Sequence, residues 1–444
     1  MKSVALHNLG CKVNGYEIDV MQQMLQEKGY KIVPFDEQAD IYIVNTCTVT
    51  NIADRKSRQM LHKAKKMNPE AIVVAVGCYV QTGMEDVIQD SGVDLAIGNN
   101  KKKDLVPILE EFLAHREEEE VRECPKTLDH TTIIDINHTK EFENMRLKET
   151  AEHTRAYIKI QDGCNQFCSY CIIPYARGRV RSRGESEILA EIRGLAQAGY
   201  KEVVLTGIHI SSYGVDLGEA ALLSLVQAIH GIEGIERIRL GSLEPRIVTE
   251  EFAEELSKLP KLCPHFHLSL QSGCDETLKR MNRHYTTGEY YEKVELLRKK
   301  FEHPAITTDV IVGFPGETEE EFEITKAFLE KIKFYEMHVF KYSKRKGTRA
   351  AVMEHQVPDE IKAKRSSELL AMEQQDSKEY RSYYIGKEVE VLFEEEKILD
   401  GESYQVGHTK QYVKAAKATG EQLDNQLVKG KLTGYLADDI LCME

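Results

Sequence analysis

Three cysteines stand within eight residues in the run Gly163-Cys164-Asn165-Gln166-Phe167-Cys168-Ser169-Tyr170-Cys171. Spaced C-x3-C-x2-C, they can hold three irons of a four-iron cluster and leave the fourth iron open to a ligand. A zinc knuckle needs a fourth Cys or His close by, and none lies between Cys171 and His209. A second set is spread out: Leu9-Gly10-Cys11, Asn45-Thr46-Cys47 and Val76-Gly77-Cys78. Three thiolates suit a cluster with one open iron better than structural zinc, which prefers a closed set of four. The alternative for this second set is three unrelated buried thiols.

The spread-out set needs a scaffold that brings it together. Ser3 to His7, Ile41 to Asn45 and Ile72 to Val76 are short Val- and Ile-rich runs, each followed by a cysteine loop and a helix-like stretch. That is an open α/β layout, in which loops beyond the carboxyl ends of parallel strands gather along one edge. A charged, weakly patterned stretch from about His115 to His153 reads as a linker, with an edge strand possible at Thr132 to Asp135.

The compact set sits in a repeat of strand then helix. Strand-like runs at Ala156 to Gln161, Glu202 to Thr206, Arg237 to Gly241, His265 to Leu270, Ile306 to Val312 and Glu336 to Tyr342 alternate with stretches of helical periodicity. Six units fall short of a closed eightfold barrel. They predict an open partial (β/α)6 barrel with its site on the loops at the carboxyl ends of the strands. From about Tyr384 the pattern changes to short alternating runs at Lys387 to Phe393, Ser403 to Gly407, Tyr412 to Ala416 and Leu427 to Tyr435, which predict a small β-barrel.

At 444 residues the chain can bury several cores. Its 41% hydrophobic and 30% charged residues exclude a largely disordered or membrane-spanning protein. Met1-Lys2-Ser3 leads directly into strand-like Val4-Ala5-Leu6, so no secretory signal and a cytoplasmic location are expected. Ten cysteines then read as reduced thiols or metal ligands, with Cys124, Cys263, Cys274 and Cys442 as ordinary thiols. The net charge of −14 does not announce nucleic-acid binding, which would have to come from local patches.

The cysteine loop after the first strand of a six-unit barrel resembles the radical S-adenosylmethionine (SAM) superfamily. The resemblance implies that SAM chelates the open iron held by Cys164, Cys168 and Cys171 and is cleaved to a 5′-deoxyadenosyl radical. It implies that Tyr170 packs near the adenine and that Gly207, in Thr206-Gly207-Ile208-His209, receives the SAM amino end. It also implies that DVIVGFPGE, from Asp309 to Glu317, lies near the adenine. Ser242, Gln271 and Asp309, polar residues at strand ends, are candidate pocket residues. The terminal strands resemble the TRAM domain, an OB-like RNA-binding barrel of tRNA-modifying enzymes. Here that segment departs from a basic module, with 7 Lys, no Arg and 12 acidic residues from Ile385 to Glu444, although Lys410, Lys414, Lys417, Lys429 and Lys431 can share one face.

The order of the three parts resembles the methylthiotransferases over essentially the whole chain. It implies a methylthiotransferase domain at 1–114, a linker at 115–149, a radical SAM core at 150–377 and a TRAM domain at 378–444. GCKVNGYEID at Gly10 to Asp19, NTCTVT at Asn45 to Thr50 and HVFKYSKRKGT at His338 to Thr348 are most similar to the branch acting on N6-threonylcarbamoyladenosine in tRNA. The resemblance implies two [4Fe-4S] clusters, SAM, a reducing partner such as flavodoxin or ferredoxin, and a sulfur donor. Carbon-2 of adenine bears an unactivated hydrogen, so sulfur insertion there requires a radical. Lys344, Arg345, Lys346 and Arg349 form a basic loop suited to RNA phosphates or to the threonylcarbamoyl carboxylate. Alternatives are the same chemistry on isopentenyladenosine tRNA or on a ribosomal-protein aspartate, and, from another class, a non-catalytic RNA-binding iron–sulfur redox sensor.

Overall fold

The computed structural model describes residues 2–90, 92–122, 131–148 and 154–444, so Cys124 and parts of the expected linker lie outside the described residues. The N-terminal sheet comprises β1 (Ser3–Asn8), β2 (Lys31–Val33), β3 (Ile41–Thr46), β4 (Ile72–Gly77), β5 (Leu95–Ile97) and β6 (Thr131–Thr132), in the order β2-β1-β3-β4-β5-β6. Every pairing is parallel. β3 and β4 are buried along their whole length, as expected of apolar strands covered by helices on both faces. The three strands legible in the sequence are its centre. The short outer strands carry too few residues for a pattern to register, and the edge strand expected at Thr132 to Asp135 is confined to Thr131–Thr132, with 133–135 outside any strand.

The charged stretch after position 115 begins as helix, because the helix Leu105–Arg122 runs through it. The middle of the chain holds β7 (Arg155–Asp162), β8 (Arg181–Ser182), β9 (Glu202–Gly207), β10 (Arg237–Leu240), β11 (His265–His267), β12 (Ala305–Val312) and β13 (Glu336–Lys341). β7, β9 and β10 pair in parallel, as do β11, β12 and β13. Parallel bridges Ile238–Leu262 and Leu243–Leu268 join the two groups into one wall of six strands. The antiparallel ribbon β8 is an addition on the β7 edge. The core between this wall and its outer helices is apolar, with Ile158, Leu205, Ile238, Phe266, Val310 and Phe322 buried.

Helix Asp359–Ser382 carries the chain from the wall to a closed barrel of β14 (Glu388–Leu399), β15 (Glu402–Thr409), β16 (Lys414–Lys417), β17 (Leu427–Ala437) and β18 (Ile440–Met443). Four of these were legible in the sequence. β18 follows Asp438-Asp439 and is four residues long, yet it bridges β16 and β17 and closes the barrel. The barrel caps the wall through charge: Arg237 donates to the carbonyls of His408 and Glu390, and Arg239 to that of Lys410.

Candidate active site

β1, β3 and β4 are neighbours, and their carboxyl ends carry Cys11, Cys47 and Cys78 side by side. Gly10 (φ +105°) makes this possible, since a Cβ there would lie 2.9 Å from Cys47 Sγ. Cys47 and Cys78 are buried, whereas Cys11 is exposed. Burial pushes the Cys47 thiol up to about 11, and the neighbouring thiols of Cys78 and Cys11 add to the rise. Two N–H donors, one of them cationic, face the set: Arg177 Nε donates to Cys78 Sγ at 3.1 Å, and the Asn99 amide Nδ2 lies 3.5 Å from the same sulfur. Convergent thiols with one N–H of a buried guanidinium donating to one of them fit an anionic metal–sulfur group.

The compact set leaves β7 through Gly163 (φ +73°), where a Cβ would lie 1.8 Å from the carbonyl oxygen of Arg179, so only glycine fits. Phe167 adopts φ +49°, which curls the loop back on itself. Cys164, Cys168 and Cys171 are all half-buried. Burial raises Cys164 to about 11 and raises Cys171 further, the neighbouring thiols contributing. Arg283 Nη1 donates to Cys168 Sγ at 3.2 Å. This loop fits a cluster with thiolate ligands for the same reason as the first.

A buried ionic network joins the two loops. Arg177 donates to Glu17 at 2.5 and 3.0 Å and to Asp162 at 3.2 Å, while Asp162 accepts from the amide of Gly163 at 2.8 Å. Lys102 and Lys159 complete the pairing of Glu17. Burial opposes the ionised form of Glu17, but Arg177, Lys102 and Lys159 outweigh it and hold the carboxyl well below the usual range. Sequence reasoning carried Glu17 only within the run GCKVNGYEID and missed Arg177, because neither residue type advertises burial.

The other expected site residues are scattered around this centre. Tyr170 packs edge-on to Phe314 at 6.5 Å, in a small apolar cluster with Ile311 and Tyr342. Gly207 lies against the β7 backbone, where a Cβ would meet the Gln161 carbonyl at 2.9 Å. Ser242 is exposed, and Gln271 is buried at φ +74° in a bridge to Val310. Asp309 lies on β12 beside His267, 3.3 Å from its Nε2. In the basic loop Lys344, Lys346 and Arg349 are exposed, but Arg345 is buried and bonds Asn51, Asp54 and Thr48 at 2.6 Å each. Arg345 therefore docks the loop onto the segment following Cys47 and is not available to RNA. Lys410 and Lys414 are also engaged, with the Pro260 carbonyl and Asp439.

Residues 158–329 match the Radical SAM superfamily, and residues 3–98 match the uncharacterized protein family UPF0004. The fold is shared with the radical S-adenosylmethionine methyltransferase TsrM of Kitasatospora setae, a structure with cobalamin and a [4Fe-4S] cluster bound. That likeness has a TM-score of 0.56 at 17% identity, over 79% of this chain and 77% of that one. These features define a radical SAM enzyme. The chain is 40% identical to the threonylcarbamoyladenosine tRNA methylthiotransferase MtaB of Bacillus subtilis (strain 168), over 98% of this chain and 95% of the relative. It is 36% identical to the tRNA-2-methylthio-N(6)-dimethylallyladenosine synthase of Acetivibrio thermocellus, over 88% and 81%. The chain belongs to the radical SAM tRNA methylthiotransferase family.

Proposed function

We propose that this enzyme inserts sulfur at carbon-2 of N6-threonylcarbamoyladenosine beside the tRNA anticodon and that the sulfur leaves methylated. The observation that carries the reading is the pair of three-cysteine sets joined through Arg177, Asp162 and Gly163, in a chain with a 40%-identical full-length relative named for that reaction. Cys164, Cys168 and Cys171 would hold one [4Fe-4S] cluster and Cys11, Cys47 and Cys78 the other. When bound, the first cluster with one SAM would supply the 5′-deoxyadenosyl radical that removes the carbon-2 hydrogen, giving 5′-deoxyadenosine and methionine, the second would supply the sulfur, and a second SAM would supply its methyl group, leaving S-adenosylhomocysteine.

The chain's own residues set the geometry. Arg177 and Arg283 each give one cysteine sulfur, Cys78 and Cys168, a hydrogen bond from a cationic donor, which would orient it as a cluster ligand. Tyr170 offers an apolar wall for an adenine, and Gly207 lets a ligand approach β9 closely. The closed terminal barrel takes the part of a TRAM domain, and Lys344, Lys346 and Arg349 that of an RNA contact. Residues 1–114, 150–377 and 378–444 serve as the three domains, joined by 115–149, although the helix Asp359–Ser382 runs unbroken through the last boundary. Among the described residues no helix is long and apolar enough to cross a membrane. A cytoplasmic site, a flavodoxin- or ferredoxin-like reductant and a sulfur donor complete the reading.

Reconstituted enzyme with dithionite, SAM and tRNA bearing threonylcarbamoyladenosine should release 5′-deoxyadenosine and yield the methylthio nucleoside by mass spectrometry. Tight RNA binding without either product would instead favour a redox sensor.

A further inference from the structure

β11, β12 and β13 turn alternate residues to opposite sides. Phe266, Ile306, Val310 and Met337 pack into the apolar core beneath the outer helices, so His267, Asp309 and His338 share the opposite, concave face. The register sets Asp309 directly against His338 and His267 against Thr307. One ligand atom from each of His267, Asp309 and His338 lies within 4.8 Å of the other two. A metal 2.0–2.2 Å from three such atoms would hold them roughly 3–3.5 Å apart, so side-chain rotations alone can close the set.

Two details separate this cluster from an ordinary polar strand face. His267 Nδ1 is paired with Thr307 Oγ1 at 3.0 Å, which leaves Nε2 as the outward nitrogen. That Nε2 is buried without a hydrogen-bond partner, although Asp309 Oδ2 is only 3.3 Å away. A hydroxyl holding one ring nitrogen while the other points at a carboxylate is the support a ligating histidine needs. His338, exposed on its strand, stands with its ring 5.9 Å from that of His267 and closes the third side.

We infer that His267, Asp309 and His338 bind one divalent transition-metal ion, of the zinc or iron(II) class, on the inner wall of the partial barrel. Two imidazoles and one carboxylate leave coordination positions open towards the barrel interior, where water or an oxygen-bearing ligand can complete the shell. The site contains none of the six cluster cysteines, and it assigns Asp309 to this ion in place of the SAM pocket.

The test counts metal directly. Reconstituted, desalted enzyme is dialysed to equilibrium against zinc, and zinc and iron are measured by plasma mass spectrometry. We expect one zinc per chain in addition to the cluster iron. His338→Ala, an exposed position whose loss leaves the core intact, and Asp309→Asn should each weaken zinc binding at least tenfold while iron per chain stays constant. Zinc uptake that is absent in the unaltered enzyme, or equal in all three proteins, overturns the site and leaves His267 and Asp309 as an ion pair only.

Discussion

Arg177 Nε donates to Cys78 Sγ at 3.1 Å from a guanidinium that is fully buried and also grips Glu17 and Asp162. Around those two carboxylates stand Arg177, Lys102, Lys159 and, at 3.8 Å, Arg181, and buried Glu143 interacts with Lys102 and Lys159, so four cations meet three acids in a buried volume. Uncompensated buried charge is costly. When they hold a cluster, Cys11, Cys47 and Cys78 would bring negative charge to this excess of cations, which would couple cluster loading to the packing of the N-terminal sheet against the barrel.

Arg177→Met should therefore do two things at once. Removing one partner of a buried ionic network costs about 3–5 kcal/mol, so the denaturant midpoint should fall. Iron at the N-terminal set should also be lost preferentially, and Arg177→Lys should restore stability better than it restores iron, because a lysine lacks the fork that reaches Cys78 and Glu17 together. Full iron loading in Arg177→Met would show that the hydrogen bond to Cys78 is dispensable.

The two cysteine sets should be separable. Cys168→Ala leaves two thiolates in the compact loop and should abolish 5′-deoxyadenosine release. Replacing Cys11, Cys47 and Cys78 together by Ala should halve the iron per chain while SAM cleavage persists. A triple variant with unchanged iron would remove the second cluster from the reading.

The docking of the terminal barrel should depend on acid. Burial opposes ionisation of Glu202, but Arg239 outweighs it and the carboxyl sits below its usual range; burial likewise opposes Glu394, which His408 and Arg155 hold low. Carboxyls depressed in the folded state stabilise it above their unfolded values, and that contribution drains away as pH falls below roughly 4.3 through the lower folded values. Stability measured from pH 7 to 3 should drop over this window, and Glu202→Gln, already destabilised at pH 7, should show a shallower slope. An unchanged slope would place the acid sensitivity elsewhere.

How much of this was legible follows from what each residue needs. The cysteine sets were readable because a cluster demands thiols at loop spacings, and the six β/α units because apolar periodicity is a local property. Arg345 was misjudged for the complementary reason. A basic loop looks solvated until its fold brings Asp54, almost 300 positions away, to 2.6 Å. Glu17, Arg177 and the His267–Asp309–His338 cluster share that difficulty, since each becomes informative only through partners on other strands. The strand β18 escaped notice because four residues cannot carry a period.

Substrate choice gives the last prediction, and the placement of Arg345 sharpens it. Lys344 and Lys346 are exposed, with no carboxylate partner among the described residues, whereas Arg345 is spent on Asn51, Asp54 and Thr48. Reversing Lys344 and Lys346 to Glu should weaken tRNA binding and leave both stability and tRNA-independent SAM cleavage nearly intact. Charge-assisted contacts are worth about 1.5–3 kcal/mol, so losing one or two should cost at least about tenfold in affinity at low salt. Added salt should shrink the difference if phosphates are the partners. Arg345→Glu should behave in the opposite way, lowering stability because it sets a second acid against Asp54 in a buried position. Equal losses of tRNA affinity in both variants, with stability untouched, would return Arg345 to the RNA surface. The same proteins should methylthiolate tRNA carrying threonylcarbamoyladenosine in preference to tRNA carrying isopentenyladenosine. Product from the isopentenylated tRNA alone would move the enzyme to the other branch of its family with its chemistry unchanged.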